Sequence, residues 1–269
     1  MRFALLLLLI IPAFSHAEIF YWEDENGKKH FSDRKHENAT VVDIQTAPSY
    51  YPIKKVYDGD TVLLENGIKV RFLGINTPEV AKRDKVADAG GEEAKQWLAH
   101  KLEGTKVKLR YDSERKDKYG RTLAYLFTEN NEHLNLQLVR NGLATVNIYP
   151  PNLKYANELI AAQQQAESQR LGIWGLSEYA PKTVGRFDSS KHRGWQRITG
   201  RISKIKQTKK YNYLQLTPKF ALKIARNSEN LFPNINSYLG KSVEARGWVN
   251  KNKQRYSMFI RHPSAINLK

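Results

Sequence analysis

Three short strands are encoded in the stretch IKKVYDGDTVLLENGIKVRFLGINTPEV, residues 53–80. β-prone runs cover residues 53–57, 61–64 and 68–73. The last two runs are separated only by Glu65-Asn66-Gly67, a sequence that favours a tight turn. This region therefore begins with three closely spaced strands.

The pattern continues through alternating helices and strands up to residue 176. A helix is predicted over residues 91–102, because apolar residues recur there at helical spacing. Two β-prone runs and two helical stretches follow, at 106–111, 121–127, 133–141 and 153–171. The order of three strands, a helix and two strands is that of a five-stranded OB barrel. We predict a mainly β, α+β domain of this type, with three helices, over residues 53–176.

A second domain is predicted at the C-terminal end. Residues 177–196 interrupt the periodicity with proline, glycine and serine, and we interpret them as a linker. Beyond them the order of the first barrel returns, with strands at 197–206, 211–217, 219–225, 242–249 and 255–260 and a helix at 228–239. This order predicts a second, OB-like barrel over residues 197–269.

The first residues are typical of an export signal. Arg2 precedes an apolar run that ends near Phe14, and Ser15-His16-Ala17 offers a small-residue cleavage site. The alternative is a membrane anchor, but about 12 apolar residues are fewer than the ~20 that a spanning helix needs. We expect residues 1–17 to be a cleaved signal peptide, no membrane span, and a periplasmic or secreted protein.

Residues 18–35 are interpreted as an aromatic β-hairpin, followed by a polar linker over residues 36–52. Ile19-Phe20-Tyr21-Trp22 and Lys29-His30-Phe31-Ser32 flank an Asn-Gly turn. The hairpin resembles a short module of unknown function that follows signal peptides in many proteobacterial envelope proteins. This resemblance agrees with export and implies no chemistry.

Positive charge is concentrated in residues 191–269. This segment contains 18 Lys or Arg and 2 Glu, a net charge of +16 out of +17 for the whole chain. Such an excess favours a polyanionic partner, because basic residues that neutralise phosphates release counterions. The predicted strands interleave these charges with aromatic residues that could stack on bases: Tyr211, Tyr213, Trp248, Tyr256 and Phe259. The alternatives are a solvated basic face and, for several aromatic residues, a place in the core.

Three polar clusters lie in the first barrel: Asp58-Gly59-Asp60-Thr61, Arg71 with Asn76-Thr77-Pro78-Glu79, and Asp117-Lys118-Tyr119-Gly120-Arg121. Each alone is compatible with ordinary turn chemistry or a surface ion pair. Together they supply oxygen ligands for a hard cation, two guanidinium groups and a carboxylate that could act on water. Those groups are what phosphodiester cleavage requires.

On these motifs, residues 53–174 resemble staphylococcal nuclease, the thermonuclease family, over nearly the whole length of the family. Further motifs occur in the family's order: Leu123-Ala124-Tyr125, Asn135 to Gly142 with Leu143-Ala144, Pro151-Asn152 and Ile173-Trp174. The resemblance implies a calcium-dependent nuclease that cleaves DNA and/or RNA and leaves 3′-phosphorylated ends.

The resemblance also implies catalytic and metal-binding roles. Arg71 and Arg121 would clamp the scissile phosphate, and Glu79 would act on the attacking water. The residues that would bind Ca²⁺ share an oxygen donor: Asp60, Asn76 and the main-chain carbonyl of Thr77, with Asp58 in support.

Two departures from the family affect these roles. Asn76 occupies a position where the family usually has a metal-binding aspartate, so we expect weaker calcium binding but not loss of activity. Substrate contacts are implied for Lys118, Tyr119 and Tyr149, but residues 146–149 are one residue shorter than the family pattern and keep one of its two tyrosines.

The expected partners are DNA and/or RNA, and we expect a monomer. The main alternative function is a non-catalytic nucleic-acid-binding protein of the bacterial envelope, because some barrels of this family lack the cutting residues. The presence of both arginines and Glu79 favours an active nuclease. In a third interpretation, the basic domain attaches the protein to anionic envelope polymers or lipid head groups.

Overall fold

The structure is a computed structural model that describes residues 19–42, 49–81, 83, 86–188 and 194–269. The predicted signal peptide lies outside the described residues. The chain divides into two compact units, residues 1–48 and 49–269. Within the described part, no helix combines the length and hydropathy that a membrane crossing requires.

The first unit contains a three-stranded sheet in the order β2-β1-β3, formed by β1 (Ile19–Glu23), β2 (Lys29–Ser32) and β3 (Thr40–Val42). The predicted hairpin is β1 and β2. The third strand, β3, lies in residues that the sequence predicted as linker. It pairs antiparallel with β1, and the connection from β2 packs on Trp22, whose ring stacks on His30 at 5.2 Å and on His36 at 4.4 Å between centroids.

The second unit begins with the predicted five-stranded barrel. Its elements are β4 (Tyr50–Asp58), β5 (Thr61–Leu64), β6 (Lys69–Phe72), β7 (Ile75–Asn76), α1 (Gly91–Leu102), β8 (Lys106–Arg110), β9 (Thr122–Thr128), α2 (Leu134–Arg140), β10 (Thr145–Val146) and α3 (Ala156–Ser168). The barrel closes in the order β4-β5-β6-β9-β8. All its neighbouring strands are antiparallel except β6 and β9, which are parallel.

Alternation along the strands places one face of each in the barrel core. Val62 and Val70, register partners on β5 and β6, are both fully buried there. Asn135 at the start of α2 is also fully buried, and it donates to the carbonyl of Leu73 at 2.8 Å and accepts from the amide of Leu126 at 3.0 Å. These bonds fix α2 against the end of β6, next to the predicted site.

The C-terminal half repeats this strand order. Its strands are β11 (Lys182–Thr183), β12 (Trp195–Arg201), β13 (Lys204–Gln207), β14 (Tyr211–Thr217), β15 (Phe220–Ala225), β16 (Ser242–Asn252), β17 (Arg255–Ile260) and β18 (Ile266–Leu268). They form one sheet in the order β11-β12-β16-β17-β15-β14-β13, with β18 on β16 and with β15 and β17 parallel. These strands are called the second barrel. Only Ile202 and Ser203 separate β12 from β13, so these two segments occupy the place of the single strand β4 in the first barrel.

Two predictions for this half were wrong in detail. Residues 228–239 form two 3₁₀ segments, Arg226–Leu231 and Ile235–Tyr238, because Pro233 between them cannot continue a helix. Residues 177–196, predicted as a linker, contain 3₁₀ turns and the strand β11, which pairs with β12.

A buried charge network joins the two barrels. Glu167 on α3 of the first barrel lies 2.8 Å from the guanidinium of Arg246 on β16. Glu244, with a fully buried side chain, lies 2.7 Å from Arg197, 2.9 Å from Arg246 and 2.9 Å from Lys269. Burial alone would raise the pKa of Glu244, but the hydrogen bonds from Arg197 and Lys269 lower it to about 2.

Replacing Glu244 with Gln is expected to lower the free energy of unfolding by ~3 kcal/mol at neutral pH, because two buried guanidinium groups lose their carboxylate. Since the folded pKa lies below the ordinary value of 4.5, this stabilisation is present above pH 4.5 and is lost as pH falls towards 2. Urea denaturation of E244Q and wild type at pH 7 and pH 3 measures both effects.

The matched control is Glu132→Gln, which removes a half-exposed pair with Lys101 at 3.4 Å. It should cost less than ~1 kcal/mol. Equal losses in the two variants, or a wild-type advantage over E244Q that does not shrink at pH 3, would contradict the prediction.

Candidate active site

The turn between β4 and β5 packs against the loop that follows β7. Asp58 accepts a hydrogen bond from the amide of Asp60 at 3.1 Å, which shapes the turn. Gly59 has no side chain, and a Cβ there would lie 2.6 Å from Cγ2 of Thr77 and 2.8 Å from Cβ of Ala94. The glycine is therefore required for close approach, and it brings Asp60 beside Thr77.

Asp60 is the central carboxylate of the site. It is 5% exposed and accepts a hydrogen bond from the amide of Thr77 at 2.8 Å. Nη2 of Arg71 lies 3.0 Å from its Oδ2. Burial raises the pKa of Asp60 to about 6, even though the charge of Arg71 acts in the opposite direction. Sequence positions 60, 71 and 77 thus form one cluster.

Arg71 is held by oxygen atoms on several sides. Nη1 donates to the carbonyl of Phe72 at 2.7 Å, and Nη2 donates to the carbonyl of Ile75 at 3.1 Å and to Oδ1 of Asn76 at 3.0 Å. With Asp60, these contacts fix the guanidinium plane in one orientation. A guanidinium held in this way is prepared for a phosphate with little loss of side-chain entropy.

The amide of Asn76 is oriented by two neighbours. Its Oδ1 accepts from Arg71, and its Nδ2 donates to the carbonyl of Thr77 at 2.7 Å. If the amide were flipped, its NH₂ group would face the Arg71 guanidinium and its oxygen would face the Thr77 carbonyl oxygen. The carbonyl oxygen of Thr77 is a predicted calcium ligand. It already accepts one hydrogen bond, from the side chain of Asn76.

Glu79 follows on a loop that is fixed through its main chain. Its carbonyl accepts from the amide of Asp88 at 2.8 Å, and its amide donates to the Asp88 carboxylate at 3.3 Å. Gly91, at the start of α1, permits this because a Cβ there would lie 2.4 Å from the Glu79 carbonyl oxygen. Glu79 is half-buried, three residues from Asn76.

The third cluster forms the bend before β9. Asp117 accepts from the amides of Tyr119 and Arg121 at 2.9 and 3.0 Å, and its Oδ2 lies 2.7 Å from Nε of Arg121. Although burial raises the pKa of Asp117, the hydrogen bonds from Arg121 lower it overall. Asp117 therefore orients Arg121.

Arg121 directly precedes β9, the strand that pairs with the strand of Arg71. Arg71 on β6 is the register partner of Leu123 on β9, and Arg121 lies two residues before Leu123. The two predicted phosphate-binding arginines are therefore carried by neighbouring segments of the barrel. Lys118 and Tyr119 belong to the same bend as Arg121, and Nζ of Lys118 lies 4.9 Å from the ring centroid of Tyr119, a residue that is 72% exposed.

Tyr149 contacts the second barrel. The guanidinium carbon of Arg261 is 4.4 Å from the centroid of its ring. Arg261 was not among the residues predicted from the sequence, although its spacing of two from Phe259 could have placed both residues on one side of the chain.

A cleft of about 680 Å³ separates the loop of Glu79 from the second barrel. Asn76 and Glu79 line one side, and Lys182, Trp195 and Trp248 line the other. No sequence signal could have identified this cleft, because it exists only where the two barrels face each other.

The donors in this site suit a hard cation. Among the described residues, no group of three or more His, Cys, Asp or Glu side chains could hold a metal ion. A cation here would instead need mixed oxygen donors: the Asp60 carboxylate, the Asn76 amide and the Thr77 carbonyl. Ca²⁺ accepts such mixtures of carboxylate, amide and carbonyl oxygens together with water. The predicted ligands therefore fit calcium in chemical type.

Comparison with known families gives two matches. Residues 69–175 match the family model "Staphylococcal nuclease homologue". Residues 6–52 match a model described as a domain of unknown function, DUF4124. The first match begins at β6, so β4, β5 and the turn that carries Asp60 lie before it.

Individual relatives include proteins named as nucleases. The thermonuclease of Staphylococcus intermedius is 39% identical over 127 residues, 46% of this chain and 75% of the relative. Endonuclease YncB of Bacillus subtilis is 32% identical over 171 residues, 58% of this chain and 81% of the relative. Uncharacterized protein MJ1439 of Methanocaldococcus jannaschii is 33% identical over 201 residues, 65% of this chain and 95% of the relative.

Replacing Gly59 with Ala should disturb the site, because the added methyl group would overlap Thr77 and push the turn away from it. We expect a loss of ~1 to 3 kcal/mol in the free energy of unfolding. Urea denaturation measures this loss. The matched control is Gly185→Ala, where the new Cβ meets no atom within 4 Å, and the change should stay within ~0.5 kcal/mol. Equal stability of the two variants would show that the close approach has no energetic role.

Proposed function

Because this chain belongs to the staphylococcal nuclease family and is a nuclease, we propose that it is exported and depends on Ca²⁺. We further propose that it hydrolyses DNA and/or RNA to 3′-phosphorylated products. The observation that carries the proposal is the cluster in which Arg71 lies 3.0 Å from both Asp60 and Asn76, directly before the loop of Glu79.

Phosphodiester hydrolysis places additional negative charge on the phosphate oxygens in the transition state. Arg71 on β6 and Arg121, directly before the paired strand β9, are proposed to bind those oxygens with forked N–H donors. Both guanidinium groups are fixed in advance, Arg71 by Asp60 and main-chain carbonyls and Arg121 by Asp117. Such preorganised donors stabilise charge without a reorganisation cost during the reaction.

Glu79 is the proposed base. Its backbone is fixed through Asp88, and it lines the cleft beside Asn76, where a water molecule could reach both the carboxylate and a bound phosphate. A carboxylate in hydrogen-bond reach of water orients it and accepts its proton.

Asp60, Asn76 and the Thr77 carbonyl would hold the cation, which when bound supplies positive charge to a phosphate oxygen. Asn76 determines how much calcium the site needs. Its amide contributes no charge, and its Nδ2 already donates to the Thr77 carbonyl. Binding at the same three oxygen donors should therefore need more calcium than it would with an aspartate at position 76.

Export and the second barrel complete the proposal. Export to the periplasm or the medium rests on the predicted signal peptide over residues 1–17. The second barrel is proposed to bind nucleic acid through the excess charge of residues 191–269, and the protein is proposed to act as a monomer.

Replacing Glu79 with Gln should lower kcat on single-stranded DNA by about 100-fold or more, with little change in KM, because general-base catalysis is lost and charge on the phosphate side is unchanged. Wild type should lose activity in a chelator and regain it with Ca²⁺. The matched control, Glu93→Gln, alters an exposed carboxylate on α1 and should leave kcat unchanged. An active E79Q, or full wild-type activity in the chelator, would contradict these roles.

Replacing Asn76 with Asp should lower the calcium concentration for half-maximal activity by roughly tenfold, because the site gains a charge and the Thr77 carbonyl loses its amide donor. Asn66→Asp adds the same charge at the exposed turn between β5 and β6 and serves as the control. A calcium titration of the three proteins measures the effect. An unchanged requirement in N76D would refute this account of Asn76.

A further inference from the structure

One guanidinium joins the two barrels at their surface. The Cζ atom of Arg261 is 4.4 Å from the ring centroid of Tyr149, in the first barrel, and 4.7 Å from that of Phe259, on β17. Arg261 thus contacts an aromatic ring on each side. The Tyr149 ring remains 44% exposed, so this contact does not bury it.

The aromatic surface continues from Phe259 across the second barrel. Nζ of Lys223 is 3.7 Å from the ring centroid of Tyr211, 5.9 Å from that of Phe259 and 6.0 Å from that of Tyr213. The strand register accounts for this grouping. Tyr213 is opposite Lys223, and Lys223 is opposite Phe259, so the three residues lie side by side on β14, β15 and β17.

The other face of these strands provides the core. Its residues are buried and apolar except for Asn212: Asn212, Leu214, Leu216, Phe220, Leu222, Ile224, Met258 and Ile260. The sheet therefore does not need aromatic residues on the outward face to close its core. On that outward face, Lys204 and Lys206 are exposed and lie opposite Gln215 and Tyr213.

We propose that Tyr149, Arg261, Phe259, Lys223, Tyr211 and Tyr213 form one track that binds a single strand of the substrate. This inference rests on the proposed nuclease function and extends its substrate site across the second barrel. The half-exposed rings offer surfaces on which bases stack, and the cations between them neutralise phosphates. β14 and β15 are the second and third strands of the barrel, a face that binds oligonucleotides in OB folds.

The track requires that the two barrels keep a fixed orientation relative to each other. The contacts between Glu167 and Arg246 and between Trp174 and Trp195 hold this orientation. A strand held at Tyr149 beside the catalytic barrel can then continue onto β14 without a flexible connection. Bases in a duplex stack on one another and present no free faces to these rings, so the track selects single strands.

Binding in a chelator tests the track without cleavage. The probes are fluorescent single strands of 3 and 24 nucleotides and a 24-base-pair duplex, because one OB barrel covers ~4 to 16 nucleotides. Tyr213→Ala and Arg261→Ala should each weaken binding of the 24-nucleotide strand by roughly fivefold to a hundredfold. Wild type should bind the trinucleotide more weakly than the 24-nucleotide strand, because a shorter strand contacts fewer of the rings. Wild type should bind the duplex more weakly than the single strand.

Two controls separate stacking from charge. Arg255→Ala removes the same charge at the exposed start of β17, and Tyr50→Ala removes a half-buried tyrosine near Lys108 on the first barrel. Both should change binding of the 24-nucleotide strand by less than about twofold after correction for net charge. If Arg261→Ala lowers the unfolding temperature, the binding of Tyr213→Ala alone tests the track, because the side chain of Tyr213 lies outside the core.

The results distinguish the track from the nuclease function. Unchanged binding of the 24-nucleotide strand in Tyr213→Ala, or equal competition by polyphosphate of the same charge, would overturn the track while cleavage remained intact. Loss of cleavage in wild type, with length-dependent and Tyr213-dependent binding retained, would overturn the nuclease function and leave the track in place.

Discussion

The structure of the site depends on the burial of one carboxylate. Asp60 is nearly inaccessible to water, and a buried charge is tolerated only when it is paired and hydrogen-bonded. The guanidinium of Arg71 and the amide of Thr77 provide those partners at 3.0 and 2.8 Å. The requirement ties three separate parts of the chain together: the turn after β4, the middle of β6 and the loop after β7. Gly59 and Gly91 allow the necessary close approaches because they lack side chains.

The same principle joins the two barrels. Glu167 and Glu244 contribute carboxylates to a boundary where Arg197 and Arg246 are also largely buried. If the barrels separated, Glu167 would lose its guanidinium partners Arg197 and Arg246. The network therefore stabilises one particular orientation of the two barrels. One consequence is the cleft between Glu79 and Trp248, and another is the contact of Arg261 with Tyr149. The fixed orientation is what allows the proposed substrate track to run from one barrel to the other.

Charge is distributed unevenly between the two barrels. Residues 191–269 carry +16 of the net charge of +17, so residues 1–190 together carry only +1. In the proposed function, the second barrel would therefore supply the long-range attraction for a polyanion. Its aromatic residues would add contact with bases, which charge alone does not provide. The proposed catalytic groups Arg71, Glu79 and Arg121 all belong to the first barrel.

The sequence by itself determined the strand order of both barrels, because hydrophobic alternation and turn residues are local signals. It also determined the residue types of the active site, since the motifs around Asp60, Arg71 and Glu79 are contiguous. Local signals failed at residues 228–239, where Pro233 divides the segment into 3₁₀ turns, and at β3, which pairs with the distant strand β1. The ion pair of Asp60 with Arg71 and the contact of Arg261 with Tyr149 were decided by tertiary structure alone. Each depends on where packing places one side chain relative to another, and local sequence patterns do not contain that distance.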